Sequence, residues 1–474
     1  MKKNTESIFI KTTVKTTLAD LHTPIGIYLR LRDRFRDTIL LESAGNHNKG
    51  NNYSFIAINA VAGIEIKNYQ EAEIKFPNEN PYKYNLSDAK LTEVLEQFSK
   101  SFQPEPNDHP IAKQAQGLFG YTSFDAIPFF ENIEFKKQTE ENKIPLLRYR
   151  LYQYVIAINH FNDEMYIIEN KIENLKSEIS TIENIINQKN APVFPFESLG
   201  AEKSNLTDQE FLESIKNAQK HCFRGDVFQL VLSRRFEQKF RGDEFNVYRA
   251  LRNVNPSPYL FFFDYGDYKL IGSSPESQLI IKDHQAIIHP IAGTFKRTGN
   301  VDQDLESAEL LKVDPKENAE HTMLVDLARN DLSIYGTNTK VSKLKEIQFF
   351  SHVIHMVSEV TTSLKVQQNP FDIIAATFPQ GTLSGAPKYR ALQLIDQYEK
   401  TSRSYYGGCI GFVGFDGSCN QAIMIRTFLS KNNTLYYQAG AGIVAKSTPE
   451  SELQEVHNKL NALKTAIKKA NKLL

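Results

Sequence analysis

The chain has 474 residues, 41% hydrophobic and 24% charged, with Lys+Arg and Asp+Glu balanced at 56 each. It is too long for one small domain, and it has no basic field to recruit nucleic acid. No run approaches the roughly 20 apolar residues of a membrane span, and Ile8 to Ile10 is too short an apolar run for a secretory signal. Cys222, Cys409 and Cys419 form no CxxC pair and fit a reducing compartment as small buried hydrophobes. A cytoplasmic protein without a membrane or nucleic-acid partner is expected.

Residues 1–170 are β-rich. Tyr53 to Ile66 alternates around a glycine, and residues 153–170 suggest two strands around a turn at His160 to Asp163. Ile172, Ile179, Ile182 and Ile186 keep an approximate helical period. Residues 190–205, with two prolines and a glycine, form the best linker, so 171–206 is taken as helix and linker. The second part opens with the capping-box pattern Thr207-x-x-Glu210, a helix with Phe211, Leu212, Ile215 and Ala218 on one face, and Gly225 as its stop. A strand follows from Val227 to Phe236. Strands, glycine-bearing loops and helices then alternate to a last helix beginning at Pro449, with Thr448 as N-cap and Leu453, Val456, Leu460 and Leu463 as its apolar stripe. The pattern predicts a mixed α/β (α+β) fold in which many strands surround few helices.

"KENAEHTMLVDLARND" places Glu317 and Glu320 three apart on one helical face, and the last helix repeats the spacing with Glu452 and Glu455 at the margin of its stripe. A solvated face is one reading. The other starts from cost: carboxylates half-turned into a core need a cation. If the helices converge, one Glu from each can hold Mg²⁺, which leaves positions for water and an anionic ligand. Residues 290–299, 378–388 and 438–444 read as Gly-bearing loops, either plain turns or backbone N–H cradles for a carboxylate or phosphate. A P-loop is excluded for "GTLSGAPK", whose glycines are four apart and whose Lys has no following Ser/Thr. Arg426 in the strand-like "AIMIRTFL" is either a buried salt-bridge partner or a carboxylate clamp.

Taken in order, "FQLVLSRRF", "SSPE", "PIAGT", "KENAEHTMLVDLARNDL", "HMVSEV", "FPQGTLSGAPK", "YYGGCIGF", "AIMIRTF", "QAGAGIV" and "PESELQEVHNKL" resemble the chorismate-utilising enzymes, most closely the anthranilate synthase large subunits. These motifs span residues 207–465; the first part matches chiefly through "LLESA". The resemblance implies a large sandwich of mixed β-sheets flanked by helices, with the active-site cleft between the two halves. It implies Mg²⁺ on Glu320 and Glu455, with Glu317 and Glu452 around it, binding the ring carboxylate of chorismate. Gly293 and Thr294 would add contacts to that carboxylate. Tyr406, Arg426, Gly440 and Gly442 would hold the enolpyruvyl group, and Lys459 would be a further anion contact. Ammonia would add at C2 as the C4 hydroxyl departs, and elimination of pyruvate would leave anthranilate. Glu276 would be the general acid for the departing hydroxyl, His355 would assist elimination, and Thr382 and Glu317 would complete the catalytic set.

Two positions separate members of the family. Water-adding relatives carry a Lys base where this chain has Gln229, and Gln cannot deprotonate water. The 4-amino-4-deoxychorismate synthases typically carry Lys where this chain has Ala292. Both favour anthranilate; 4-amino-4-deoxychorismate synthase is the enzyme alternative, and a non-catalytic tryptophan-binding sensor the alternative from another class. Phe295 stands where many relatives have Arg. "LLESA" and "NPSPYLFFF" resemble a tryptophan feedback site made of Glu42, Ser43, Pro258 and Tyr259; a structural strand pair is the other reading. No cysteine sits in a nucleophile elbow, so a separate glutamine amidotransferase subunit, in a heterotetramer, would supply ammonia.

Overall fold

The computed structural model describes residues 7–44, 52–87, 89–135, 140–349 and 353–473, with Glu140, Thr294 and Lys296 described by their backbone alone. Two long strands organise it. Tyr53–Ile66 and Leu147–Asn159 pair antiparallel along their whole length, Tyr53 opposite Asn159 and Ile66 opposite Leu147. Each serves two sheets, because its other edge is divided. Leu147–Asn159 gives one half to Glu164–Lys171 and the other to Gly117–Thr122. Tyr53–Ile66 likewise splits between Thr38–Glu42 and Glu71–Lys75.

From Thr38–Glu42 one sheet runs on through Tyr259–Asp264, Tyr268–Ser274, Thr427–Lys431 and Thr434–Val444 to Gln229–Gly242. From Gly117–Thr122 the other continues through Cys409–Gly414, Cys419–Ile423, Ser277–Lys282 and Gln285–Ile288 to Val353–Ser363. Ile291–Lys296 and Thr337–Phe349 join it there.

Side chains of a strand alternate between faces, and Tyr259–Asp264 shows what each face meets. Phe261 and Phe263 point inward and share a cluster with Phe119, Ile410 and Phe412 of the opposite sheet. Leu260 and Phe262 point outward. There the Phe262 ring lies 5.0–5.7 Å from Tyr28, Phe245 and Tyr248, on the helices Pro24–Leu31 and Phe245–Val254. Two sheets therefore face each other and helices cover their outer sides, each buried aromatic contributing roughly 1.5–3 kcal/mol. No described helix is long and apolar enough to cross a membrane.

Several local expectations hold. Asp208–Arg224 is a helix with both halves of the capping box made, and Gly225 closes it at φ 80°. Pro449–Ala470 starts after Thr448, whose hydroxyl makes no cap bond; Val456, Leu460 and Leu463 are buried. Cys409 and Cys419 are buried and Cys222 half-buried. Other expectations need correction. Only Ile179–Ile186 of the isoleucine-rich stretch is helical. The segment taken as linker contains an edge strand, Phe196–Ser204, paired with Gln229–Gly242 and mostly exposed, so its hydrophobicity gave no strand signal. Residues 290–299 are not a loop: Ile291–Lys296 is a strand whose register shifts between Ala292 and Thr294, where Gly293 adopts φ 71° as a bulge. Residues 438–444 lie inside the strand Thr434–Val444. Arg426 interrupts its apolar run, at φ 48° between Cys419–Ile423 and Thr427–Lys431.

Candidate active site

Glu276 sits in the two-residue turn between Tyr268–Ser274 and Ser277–Lys282 and is buried. Burial pushes its carboxyl up to about 7, against the opposing effects of a Thr382 hydrogen bond, Lys459 and Arg426. The Thr382 hydroxyl, on the one-turn helix Gly381–Ser384, donates to Glu276 Oε1 at 3.0 Å. Desolvation wins, and Glu276 keeps its proton to near neutrality. Arg426 is half-buried, and desolvation lowers its pKa although Glu276 opposes this. Its Nη1 donates to Asn255 Oδ1 at 3.2 Å. Among the described residues it makes no salt bridge, which leaves an unneutralised guanidinium suited to an anion rather than a buried ion pair.

His355 lies opposite Thr294 in the ladder of Val353–Ser363 with Ile291–Lys296, the Thr294 side chain being outside the described residues. Its Nδ1–H donates to the Gly293 carbonyl at 3.1 Å, and burial drops its pKa to about 4. His355 is therefore neutral, in the tautomer that keeps the lone pair on Nε2. The Gly293 bulge also makes room for the acidic helix. A Cβ there would lie 2.6 Å from Leu311 Cδ1 and 3.2 Å from Glu317 Oε2.

The two acidic pairs converge. The helix Pro315–Ser333 starts under Asp314, whose carboxylate accepts from the amides of Lys316 and Glu317. Burial raises the Glu317 carboxyl, and the charges of Glu320 and Glu455 add to the effect. Glu320 is raised by burial and by Glu455, although its Oε1 accepts from Gln229 Nε2 at 3.0 Å. On the last helix, Glu452 is 3% exposed, its pKa is raised by burial, and its Oε2 accepts no hydrogen bond from the described residues. Glu455 is pushed up by burial, but Lys459, Lys316 and Glu452 together hold it below the usual carboxylate range. Lys459 Nζ lies 2.6 Å from Glu455 Oε1 and donates to the Gly440 carbonyl at 2.9 Å. Although closely surrounded, the Lys459 and Glu455 side chains remain 45% and 46% exposed, so solvent reaches both. Among the described residues no three His, Cys, Asp or Glu form a ready-made metal cage. The four carboxylates offer the hard oxygen donors of an ion that keeps most of its water, and the raised carboxyls and the orphaned Glu452 oxygen mark negative charge in want of a cation.

The glycines of Thr434–Val444 act through missing side chains, since their backbone lies in the ladder with Val231 and Ser233. A Cβ on Gly440 would lie 2.8 Å from the Leu232 carbonyl and 3.1 Å from the Tyr406 hydroxyl; one on Gly442 would lie 2.5 Å from Gln229 Nε2.

Sequence reasoning missed the support beneath these groups. Arg403, 2% exposed, pairs with Glu399 at 2.6 Å and donates to the carbonyls of Leu383 at 2.6 Å and Val231 at 2.8 Å. Glu399 Oε1 also accepts from the amide and hydroxyl of Ser233. This pair ties the turn carrying Thr382 to the strand carrying Gln229. Its only signal was an i, i+4 Glu–Arg spacing, which surface helices share.

The proposed inhibitor residues gather at another place. Glu42 is opposite Leu260, buried, with Oε2 accepting from the Tyr248 hydroxyl at 2.6 Å and Arg252 Nε at 2.9 Å. The Ala44 amide donates to the Ser257 carbonyl, so the two motifs meet. Ser43, Pro258 and Tyr259 are half-buried, and burial lifts the Tyr259 hydroxyl to about 12.

Comparison with known proteins gives this arrangement its class. The chain matches the chorismate binding enzyme family over residues 38–465 and belongs to it. Within that family it is 35% identical to anthranilate synthase component 1 of Aquifex aeolicus, over 95% of this chain and 93% of that protein. It is 36% identical to the protein of that name from Bacillus subtilis, over 95% and 90% respectively. Among solved structures, anthranilate synthase component I from Streptococcus pneumoniae superposes with a TM-score of 0.73 at 29% identity, covering 94% of this chain and 99% of that one. The menaquinone-specific isochorismate synthase MenF of Escherichia coli shares the fold, with a TM-score of 0.72 at 19% identity.

Proposed function

We propose that the chain is the ammonia-using subunit of an anthranilate synthase, a lyase that aminates chorismate at C2 and eliminates pyruvate. The observation that carries the reading is Glu276: a buried carboxyl, protonated near pH 7, aimed by Thr382 and facing Arg426. Hydroxide leaves poorly, so its departure from C4 needs a proton, and Glu276 holds one. Arg426, Tyr406 and the cleared strand at Gly440 and Gly442 hold the enolpyruvyl carboxylate. Glu320 and Glu455 would hold Mg²⁺, with Glu317 and Glu452 beside them; the ion would supply Lewis-acid charge for the ring carboxylate. Neutral His355 accepts a proton as pyruvate leaves.

Gln229 argues against a water-adding reaction. Its amide nitrogen is spent on Glu320 and it has no basic group, whereas ammonia is already a nucleophile. The name component 1 borne by the relatives supports a second component that releases ammonia from glutamine. The pairing of "LLESA" with the 255–263 segment supports tryptophan feedback inhibition at Glu42, Ser43, Pro258 and Tyr259.

The test is incubation with chorismate, Mg²⁺ and ammonium. Blue-fluorescent anthranilate should appear without a separate lyase, fall with tryptophan and vanish with EDTA. Glutamine should replace ammonium only when the partner is added. Glu320→Ala and Glu455→Ala should each lower kcat/KM by about 100-fold or more. Accumulation of 4-amino-4-deoxychorismate or isochorismate would overturn the assignment.

A further inference from the structure

A cleft of about 710 Å³ opens away from Glu276. One wall is the start of the helix Pro24–Leu31 and the His160 to Asp163 turn; the other is the helix Phe245–Val254 and the end of the last helix. It shares no lining residue with the catalytic groups or with Glu42, Ser43, Pro258 and Tyr259.

Its charge is one-sided. Arg249, Arg252 and Lys469 line it, against Asp163 as the single lining carboxylate among the described residues. Each cation spends one donor: Arg249 Nη1 on Asn246 Oδ1 at 2.9 Å, Arg252 Nε on Glu42 Oε2 at 2.9 Å and Lys469 Nζ on Asn253 Oδ1 at 3.1 Å. The remaining guanidinium and ammonium protons have no partner among the described residues. Thr23 caps the Pro24–Leu31 helix at the same wall, turning the positive end of its dipole to the cleft. Ile25, Ile158, Ala250 and Leu473 give the cleft an apolar side, and its volume suits a small molecule.

We propose that this cleft binds a small organic oxyanion, a carboxylate or phosphate ester on a compact apolar body, and that Arg252 reports its presence to Glu42. The occupant competes with Glu42 for the one guanidinium that touches both. Glu42 Oε1 is buried and accepts no hydrogen bond from the described residues, so drawing Arg252 away strengthens the demand of Glu42 for a cationic group. This second half rests on Glu42 belonging to the tryptophan pocket, where the added demand favours the ligand's ammonium.

The full chain should be titrated calorimetrically with inorganic phosphate and with benzoate, each against chloride at equal ionic strength. Saturable heat with phosphate alone assigns a phosphate ester, and with benzoate a carboxylate. Arg249→Ala and Lys469→Ala should each weaken binding about tenfold, while Arg249→Lys and Lys469→Arg, which keep the charge, retain most of it. No saturable heat beyond chloride, or equal binding by the Ala variants, overturns the site. In the product assay a saturating probe should lower the tryptophan concentration for half-inhibition at least about twofold, an effect lost in Arg252→Gln. Binding with unchanged inhibition overturns the link to Glu42. A chain that tryptophan does not inhibit overturns the Glu42 reading and the link together, and leaves the calorimetric result standing.

Discussion

Glu276 carries a proton that three neighbours work to remove, and pH should expose the contest. The carboxyl rises from an ordinary 4.5 to about 7 in the folded chain. The acid form is the active one, so kcat/KM should fall about tenfold per pH unit above neutrality. Stability follows the same proton. A raised native pKa means the folded state takes up a proton between the unfolded and folded values. Its stabilising contribution is complete below about 4.5 and is lost as pH rises through about 7, a difference of roughly 3 kcal/mol. Glu276→Gln should therefore be more stable than the parent at pH 8 by denaturant melts, yet about 10²–10⁴-fold slower. A variant that is both inactive and less stable would contradict the assignment. Arg403 makes a second prediction at this scale. Arg403→Met strands a buried Glu399 and should cost about 3–5 kcal/mol. Arg403→Lys keeps the charge but loosens the Leu383 carbonyl and hence Thr382. As the Thr382 bond holds the Glu276 pKa down, the basic limb of the pH profile should move upward.

At the scale of elements, glycines separate what was legible from what was not. The acidic helices could be read from spacing, because Glu452 and Glu455 sat at the margin of an apolar stripe that gave the last helix a definite inner face, and Glu317 and Glu320 showed the same interval of three. The glycine-rich stretches misled, because glycine density usually marks turns; here Gly293 makes a bulge, and Gly440 and Gly442 keep a buried strand bare. No local signal separates those uses, since the deciding atoms belong to Leu311, Tyr406 and Gln229, distant in sequence. The strand break at Arg426 escaped for a related reason: no glycine, proline or asparagine marks it between Ile423 and Thr427. Substitutions should tell the glycines apart. Gly293→Ala combines a positive φ with a clash on Leu311 and should cost about 1–3 kcal/mol in thermal or denaturant melts. Gly442→Ala presses only on the movable Gln229 amide, so the melting temperature should hardly change while kcat/KM drops as Gln229 leaves Glu320. Equal stability losses in both variants would show that the glycines merely fill backbone needs.

For the whole molecule, Thr38–Glu42 is an interior strand, held between Tyr53–Ile66 and Tyr259–Asp264. Residues 1–170 and 207–465 thus share one sheet rather than meeting at a surface. Calorimetry of the full chain should show one unfolding transition, with equal calorimetric and van't Hoff enthalpies; two resolved transitions would show that the halves melt apart.

The same pairing sets a problem for the ribosome. Glu42 leaves the exit tunnel more than two hundred residues ahead of Leu260, its partner, a wait of about 10–40 s at ordinary elongation rates. Throughout that interval the nascent sheet ends in a row of unsatisfied amides and carbonyls beside exposed isoleucine and leucine, a template for any other strand. Yield in the cell should then depend on how fast translation delivers the second half, and on whatever shields that edge until it arrives.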